Sequence, residues 1–179
     1  MNKLKSAFVF IAILWIIHFA DVFFNLGLNR FGILPRTQQG LIGIVASPFL
    51  HANLYHLISN TITLFILLLT LKIFYPRIAT KVIITTILLS GSMVWLMARP
   101  AIHIGASSLI YSLAGFLVFM GIFRRSFKAL IIALLVAFFY GGLIWGIFPT
   151  NPQISFEGHL FGAVAGIIVA YANRNRRVD

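Results

Sequence analysis

Cysteine is missing from the chain, and acids nearly so: Asp21, Glu157 and Asp179 are the only three among 179 residues. The first absence excludes disulfides, thiolate metal sites and a cysteine nucleophile. The second leaves no pair of carboxylates close enough in sequence to suggest an acid–base dyad. Charge of either sign is scarce, at 9% of residues where soluble domains carry about 25%. Hydrophobic residues make up 60%. Such a chain cannot clothe a water-facing surface, and its solvent is the bilayer. The net charge of +11 does not point to nucleic acid. The basic residues sit in short clusters between apolar stretches, as in loops facing the cytoplasm. Histidine is the remaining metal ligand, but the five histidines lack tight zinc spacing and H-E-x-x-H is absent, so no metal is expected.

What is present is apolar sequence in long runs. Six stretches approach the roughly 20 apolar residues that cross a hydrocarbon core: 7–28, 52–72, 80–98, 107–123, 127–148 and 158–173. All are expected to be helices, because a backbone in lipid must satisfy its own hydrogen bonds. The opening MNKLK and the run after it begin like a signal peptide. The apolar run, however, continues past Asp21 to Leu28 with no A-x-A site after it, which predicts a retained first span. No internal repeat or low-complexity segment divides the chain, so residues 1–179 read as one all-α membrane domain.

Six spans put both termini on one side. That side carries eleven basic residues: Lys3, Lys5, Lys72, Arg77, Lys81, Arg124, Arg125, Lys128, Arg174, Arg176 and Arg177. The other carries three, Arg30, Arg36 and Arg99. The asymmetry places both termini in the cytoplasm. The first outer loop, LNRFGILPRTQQGLIGIVASPFLHAN, is half apolar, and Pro35, Gly40, Gly43 and Pro48 break it. It is expected to lie in the membrane interface.

Polar residues within spans are costly and face the bundle interior. Three clusters stand out. His51, His56 and Asn60 occupy HANLYHLISN, with His56 and Asn60 stacked at i, i+4 on one helix face. Ser107 opens the fourth span in HIGASSLIYSLAG, with Tyr111 a turn below. His159 opens the sixth, with Gly162 and Gly166 following on the same face. Counting at 1.5 Å per residue to the cytoplasmic charge of each helix gives roughly 25 Å for Ser107, 24 Å for His56, 22 Å for His159 and 18 Å for Asn60. The clusters therefore share a level below the outer surface. His18 in the first span passes the same test, at roughly 20 Å, but reads as packing together with Asp21 and Asn25. The Gly162–Gly166 pair permits close helix approach, and Ala114 and Gly115 in span four offer a matching surface. If those faces touch, His159 comes beside Ser107.

A serine needs a base to become a nucleophile, and His159 is the candidate, as a neutral imidazole near neutral pH. No carboxylate is placed to orient it, so a Ser–His dyad is the economical arrangement, with the Tyr111 ring packed on the imidazole. His56, Asn60 and the Ser107 amide could stabilise an oxyanion, and Gly105 permits the turn that presents that amide. His51 and His103 read as residues near the site. The same polar faces would also be compatible with capping, packing or a transport path.

H-x-x-x-x-H-x-x-x-N in span two, G-x-S opening span four, Tyr four residues after that serine, and H-x-x-G-x-x-x-G in span six together resemble the rhomboid family of intramembrane serine proteases. The likeness covers all six spans in order. It implies a six-helix bundle around a short central fourth helix, Ser107 as nucleophile, His159 as general base, and His56, Asn60 and the Ser107 amide as the oxyanion site. It implies cleavage of single-span membrane proteins in or near the membrane, with a small residue before the scissile bond and helix-weakening residues beyond it. It implies no cofactor. In its span count the chain is similar to the short bacterial type, which sits in the inner membrane. Two features depart from the family pattern. Ser108 stands where glycine is usual, which removes no catalytic group, and the first loop lacks the Trp-Arg pair many members carry. Rival readings are a rhomboid-like protein that binds membrane helices without cutting them, and a transporter or channel. The first usually loses the serine or histidine, and both are kept. The second lacks broken helices in paired positions.

Overall fold

A computed structural model describes residues 3–124, 126–149 and 154–176. Arg125, Arg177 and Asp179, used above for charge, lie outside the described residues. Among the described residues seven α-helices follow one another: α1 (Lys3–Phe24), α2 (Gly40–Ala46), α3 (Leu54–Phe74), α4 (Ala79–Met97), α5 (Ser107–Arg124), α6 (Phe127–Tyr140) and α7 (Phe156–Asn173). Five runs, α1, α3, α4, α5 and Phe127–Ile147, are long and apolar enough to cross a membrane. The sixth expected span is α7. Its 18 residues equal α5 in length, about 27 Å, but Glu157, His159 and Asn173 dilute its apolarity.

Local chemistry sets the helix ends. Asn53 caps α3 by accepting the His56 amide at 2.9 Å, and Ser126 caps α6. The first helix starts four residues earlier than the hydropathy suggests and stops at Phe24. Asn25 and Gly27 take positive φ there, and Asp21 accepts the Leu28 amide at 2.8 Å, closing the turn. The fifth expected span is α-helical only to Tyr140; Gly141–Ile147 continue as a 3-10 helix. The Gly141–Gly142 pair, poor at propagating an α-helix, marks the change.

α5 is the hub, packing against α3, α4, α6 and α7. Leu113, Phe116, Leu117 and Met120 of α5 meet Leu64, Leu67, Leu68 and Leu71 of α3 in a core with none of these side chains exposed. Against α7 the contact is made by small residues. Gly162 faces the Ser108 carbonyl and Gly166 the Ser112 carbonyl, while Gly115 faces Ala163. The Ser112 hydroxyl lies 3.0 Å from the Gly162 carbonyl, an interhelical hydrogen bond. Gly115 takes part, Ala114 packs on the apolar core, and Ser108 and Ser112 complete the stripe. Ser108 itself reaches sideways, its hydroxyl 3.0 Å from that of Ser90 on α4.

The first loop is anchored without a Trp-Arg pair of its own. Arg36 donates to the Leu96 and Ala98 carbonyls at the end of α4, at 3.2 and 2.8 Å, and the Trp95 indole returns a bond to the Thr37 carbonyl at 2.8 Å. Leu41, Ile42 and Val45 of α2 remain exposed, which suits an interfacial segment.

Candidate active site

Ser107 is delivered by the loop between α4 and α5. His103 pairs with Ile33 of the first loop in an isolated antiparallel bridge, at 2.9 and 3.0 Å. Gly105 then turns with φ +114°, its amide donating to the Ser47 carbonyl at 2.9 Å. A side chain there would be strained, and its Cβ would fall 2.6 Å from two atoms of the His56 ring and 3.7 Å from the Asn60 amide nitrogen. The turn thus lays bare backbone against His56 and Asn60, two residues before Ser107. The Ser107 amide belongs to the first turn of α5, whose N–H groups have no partner within the helix.

His56 and Asn60 are held from behind by His51. The Asn60 amide lies 3.2 Å from His51 Nε2, and the His51 and His56 rings meet edge to face at 5.1 Å. His51 precedes the membrane-spanning part of α3, and burial, then the neighbouring His56, lower its pKa from 6.5 to about 3. The ring is therefore neutral, and its Nε2 accepts one of the two Asn60 amide hydrogens. The second hydrogen is left for the side facing Gly105.

His159 stands on the first turns of α7, half-buried. Its ring stacks on Tyr111 with centroids 4.2 Å apart and planes 8° from parallel. Its Nδ1 lies 2.9 Å from the Gly146 carbonyl. A carbonyl only accepts, so Nδ1 carries the proton and Nε2 of the neutral ring holds a lone pair. Tyr111 is held in turn by donating to the Leu143 carbonyl at 2.7 Å. Both carbonyls belong to the 3-10 segment after α6. A Cβ on Gly146 would strike the Tyr111 hydroxyl and sit 3.0 Å from His159 Nδ1. Sequence reasoning missed Gly146 and Leu143, since backbone carbonyls leave no mark in residue type.

The expected residues thus fall into two contact groups: His51, His56, Asn60 and Gly105 in one, Tyr111 and His159 in the other. Gly162 and Gly166 bring α7 against the helix that Ser107 begins. Among the described residues Ser107 Oγ makes no hydrogen bond, to His159 or to any other group. Apo sites often hold such pairs apart until substrate binds. Glu157 does not orient His159. It is buried and pairs with Arg99, Oε1 to Nε at 3.5 Å.

Residues 38–176 match the family described as Rhomboid domain. The chain is 38% identical over 173 residues to uncharacterized proteins of Mycobacterium bovis and Mycobacterium tuberculosis, covering 90% of this chain and 71% of theirs. To an uncharacterized protein of Mycobacterium leprae it is 34% identical over 174 residues, 90% of this chain and 68% of the relative. A family match over most of the chain, and an all-helical bundle with long apolar helices, agree with the motif likeness: this multi-pass membrane protein belongs to the rhomboid family.

Proposed function

We propose that the protein is an intramembrane serine endopeptidase. Ser107 Oγ attacks the scissile carbonyl while His159 Nε2 takes its proton. The Ser107 amide, His56 and Asn60 receive the oxyanion. Collapse breaks the C–N bond, and His159 protonates the leaving amine. Water, activated by the same imidazole, then hydrolyses the acyl-enzyme. The reaction needs no cofactor. The substrates are single-span membrane proteins, and the enzyme sits in a bacterial inner membrane with both termini in the cytoplasm.

The observation that carries this reading is the fixed tautomer of His159. A ring clamped on Tyr111, with Nδ1 tied to Gly146, keeps its basic nitrogen free beside the helix that begins at Ser107. Labelling by a fluorophosphonate tests it. The purified protein is expected to be labelled at Ser107, and to lose both label and cleavage of a single-span reporter in Ser107→Ala and His159→Ala. Full cleavage by His159→Ala would refute the dyad. An unlabelled protein that still retains reporter helices would instead be a helix-binding relative without activity.

A further inference from the structure

The polar side chains of His103 and Ser155 take no part in the reaction above, yet they join the two segments that carry its reacting groups. His103 lies four residues before Ser107, and Ser155 four residues before His159. His103 is buried and pinned on both sides of its backbone by the bridge to Ile33. Its Nε2 lies 3.1 Å from the Arg99 carbonyl. That nitrogen must carry the proton, so Nδ1 is an acceptor. Burial keeps the ring in this neutral form by lowering its pKa. The Ser155 hydroxyl, 2.6 Å from Nδ1, is then the donor. Its oxygen accepts the Gly158 amide at 3.1 Å, capping α7. The hydrogens run one way, from the amide just before His159 to the loop that delivers Ser107. A second tie runs alongside, with Arg99 donating to the Ile154 carbonyl at 2.8 Å and pairing with Glu157.

We propose that His103 and Ser155 are positioning residues, a two-bond link that sets the start of α7 against the start of α5 and so fixes the separation of Ser107 and His159. The inference rests on the reading of those two as the reacting pair. The α5–α7 glycine stripe starts at Ser108 and Gly162 and runs on down the two helices from there. The link adds a side-chain tie between the segments that lead into the two helices, outside the stripe. Misplacing reacting groups by about 1 Å costs about 100-fold in rate.

The test uses the full-length protein in detergent and measures three quantities: the rate of fluorophosphonate labelling, kcat and KM on a single-span reporter, and melting temperature. Ser155→Val and Ser155→Thr are a matched pair in shape, and only threonine keeps the hydroxyl. Ser155→Val and His103→Phe are expected to be labelled roughly 10- to 100-fold more slowly than wild type, with kcat reduced and KM unchanged. Ser155→Thr is expected to stay near wild type. The double variant His103→Phe, Ser155→Val is expected to be no slower than the worse single variant, because both cut one link. Should His103→Phe not fold, the valine–threonine pair decides alone. Singles that label at wild-type rate, or a double variant whose losses multiply, overturn the positioning role. Rate losses that threonine does not rescue overturn it too. A wild type that is never labelled at Ser107 removes the nucleophile reading itself, an outcome distinct from a labelled wild type with equally labelled variants.

Discussion

At Gly105 a single methyl group tests how closely the turn fits. The backbone already has a φ that side chains avoid, and the new carbon would meet the His56 ring. Gly105→Ala is expected to lower Ser107 labelling by about 100-fold or more. Asn60→Ala removes one donor of the proposed oxyanion site and is expected to reduce kcat by roughly 10- to 1000-fold. His51 contributes through protonation. Unfolded, it titrates near the ordinary imidazole value of 6.5; in the folded protein, burial and then His56 lower this to about 3. Between these values the unfolded chain binds the extra proton. Stability from the neutral ring is therefore complete above pH 6.5 and drains as pH falls through the window, by up to about 1.4 kcal/mol per unit. The melting temperature is expected to drop between pH 6.5 and 4.5, and to drop less steeply in His51→Gln.

At the scale of helices, the α5–α7 seam tolerates little added volume. In Gly166→Val the new side chain would run into the Ser112 carbonyl. Overpacking of this kind costs about 1–3 kcal/mol, read as a lower melting temperature with Ser107 still present but labelled less. Much of this architecture was legible in the sequence because hydrocarbon is an unforgiving solvent. A histidine, asparagine or serine within an apolar run is costly, so Ser107, His159, His56 and Asn60 stood out against their neighbours. The glycine spacing of α7 was equally plain. Its partner face was not. Ala114, Gly115 and Ser112 are all small and differ only in where a turn of about 100° per residue points them. The polar ties of Arg36 and Trp95 join segments about sixty residues apart, a separation no local pattern encodes. The shift from α to 3-10 after Tyr140 was hidden behind a run whose hydropathy continues unbroken.

For the whole molecule, orientation is the open geometric prediction, and the lack of cysteine supplies a clean background for it. Gln38 in the first loop and Ser126 before α6 are both exposed. A cysteine at Gln38 is expected to react with a membrane-impermeant maleimide on intact cells. A cysteine at Ser126 is expected to react only after permeabilisation. The reverse pattern would invert the topology drawn from the basic residues.

Phe127–Ile147 is the least buried of the five apolar runs, and its last residues hold Tyr111 and His159 through two carbonyls. His159 thus takes its bearing from the part of the protein that lipid, more than protein, keeps in place. A bilayer too thin or too thick for that segment would loosen the imidazole before it unfolded anything, so turnover would respond to acyl-chain length well before the melting curve does.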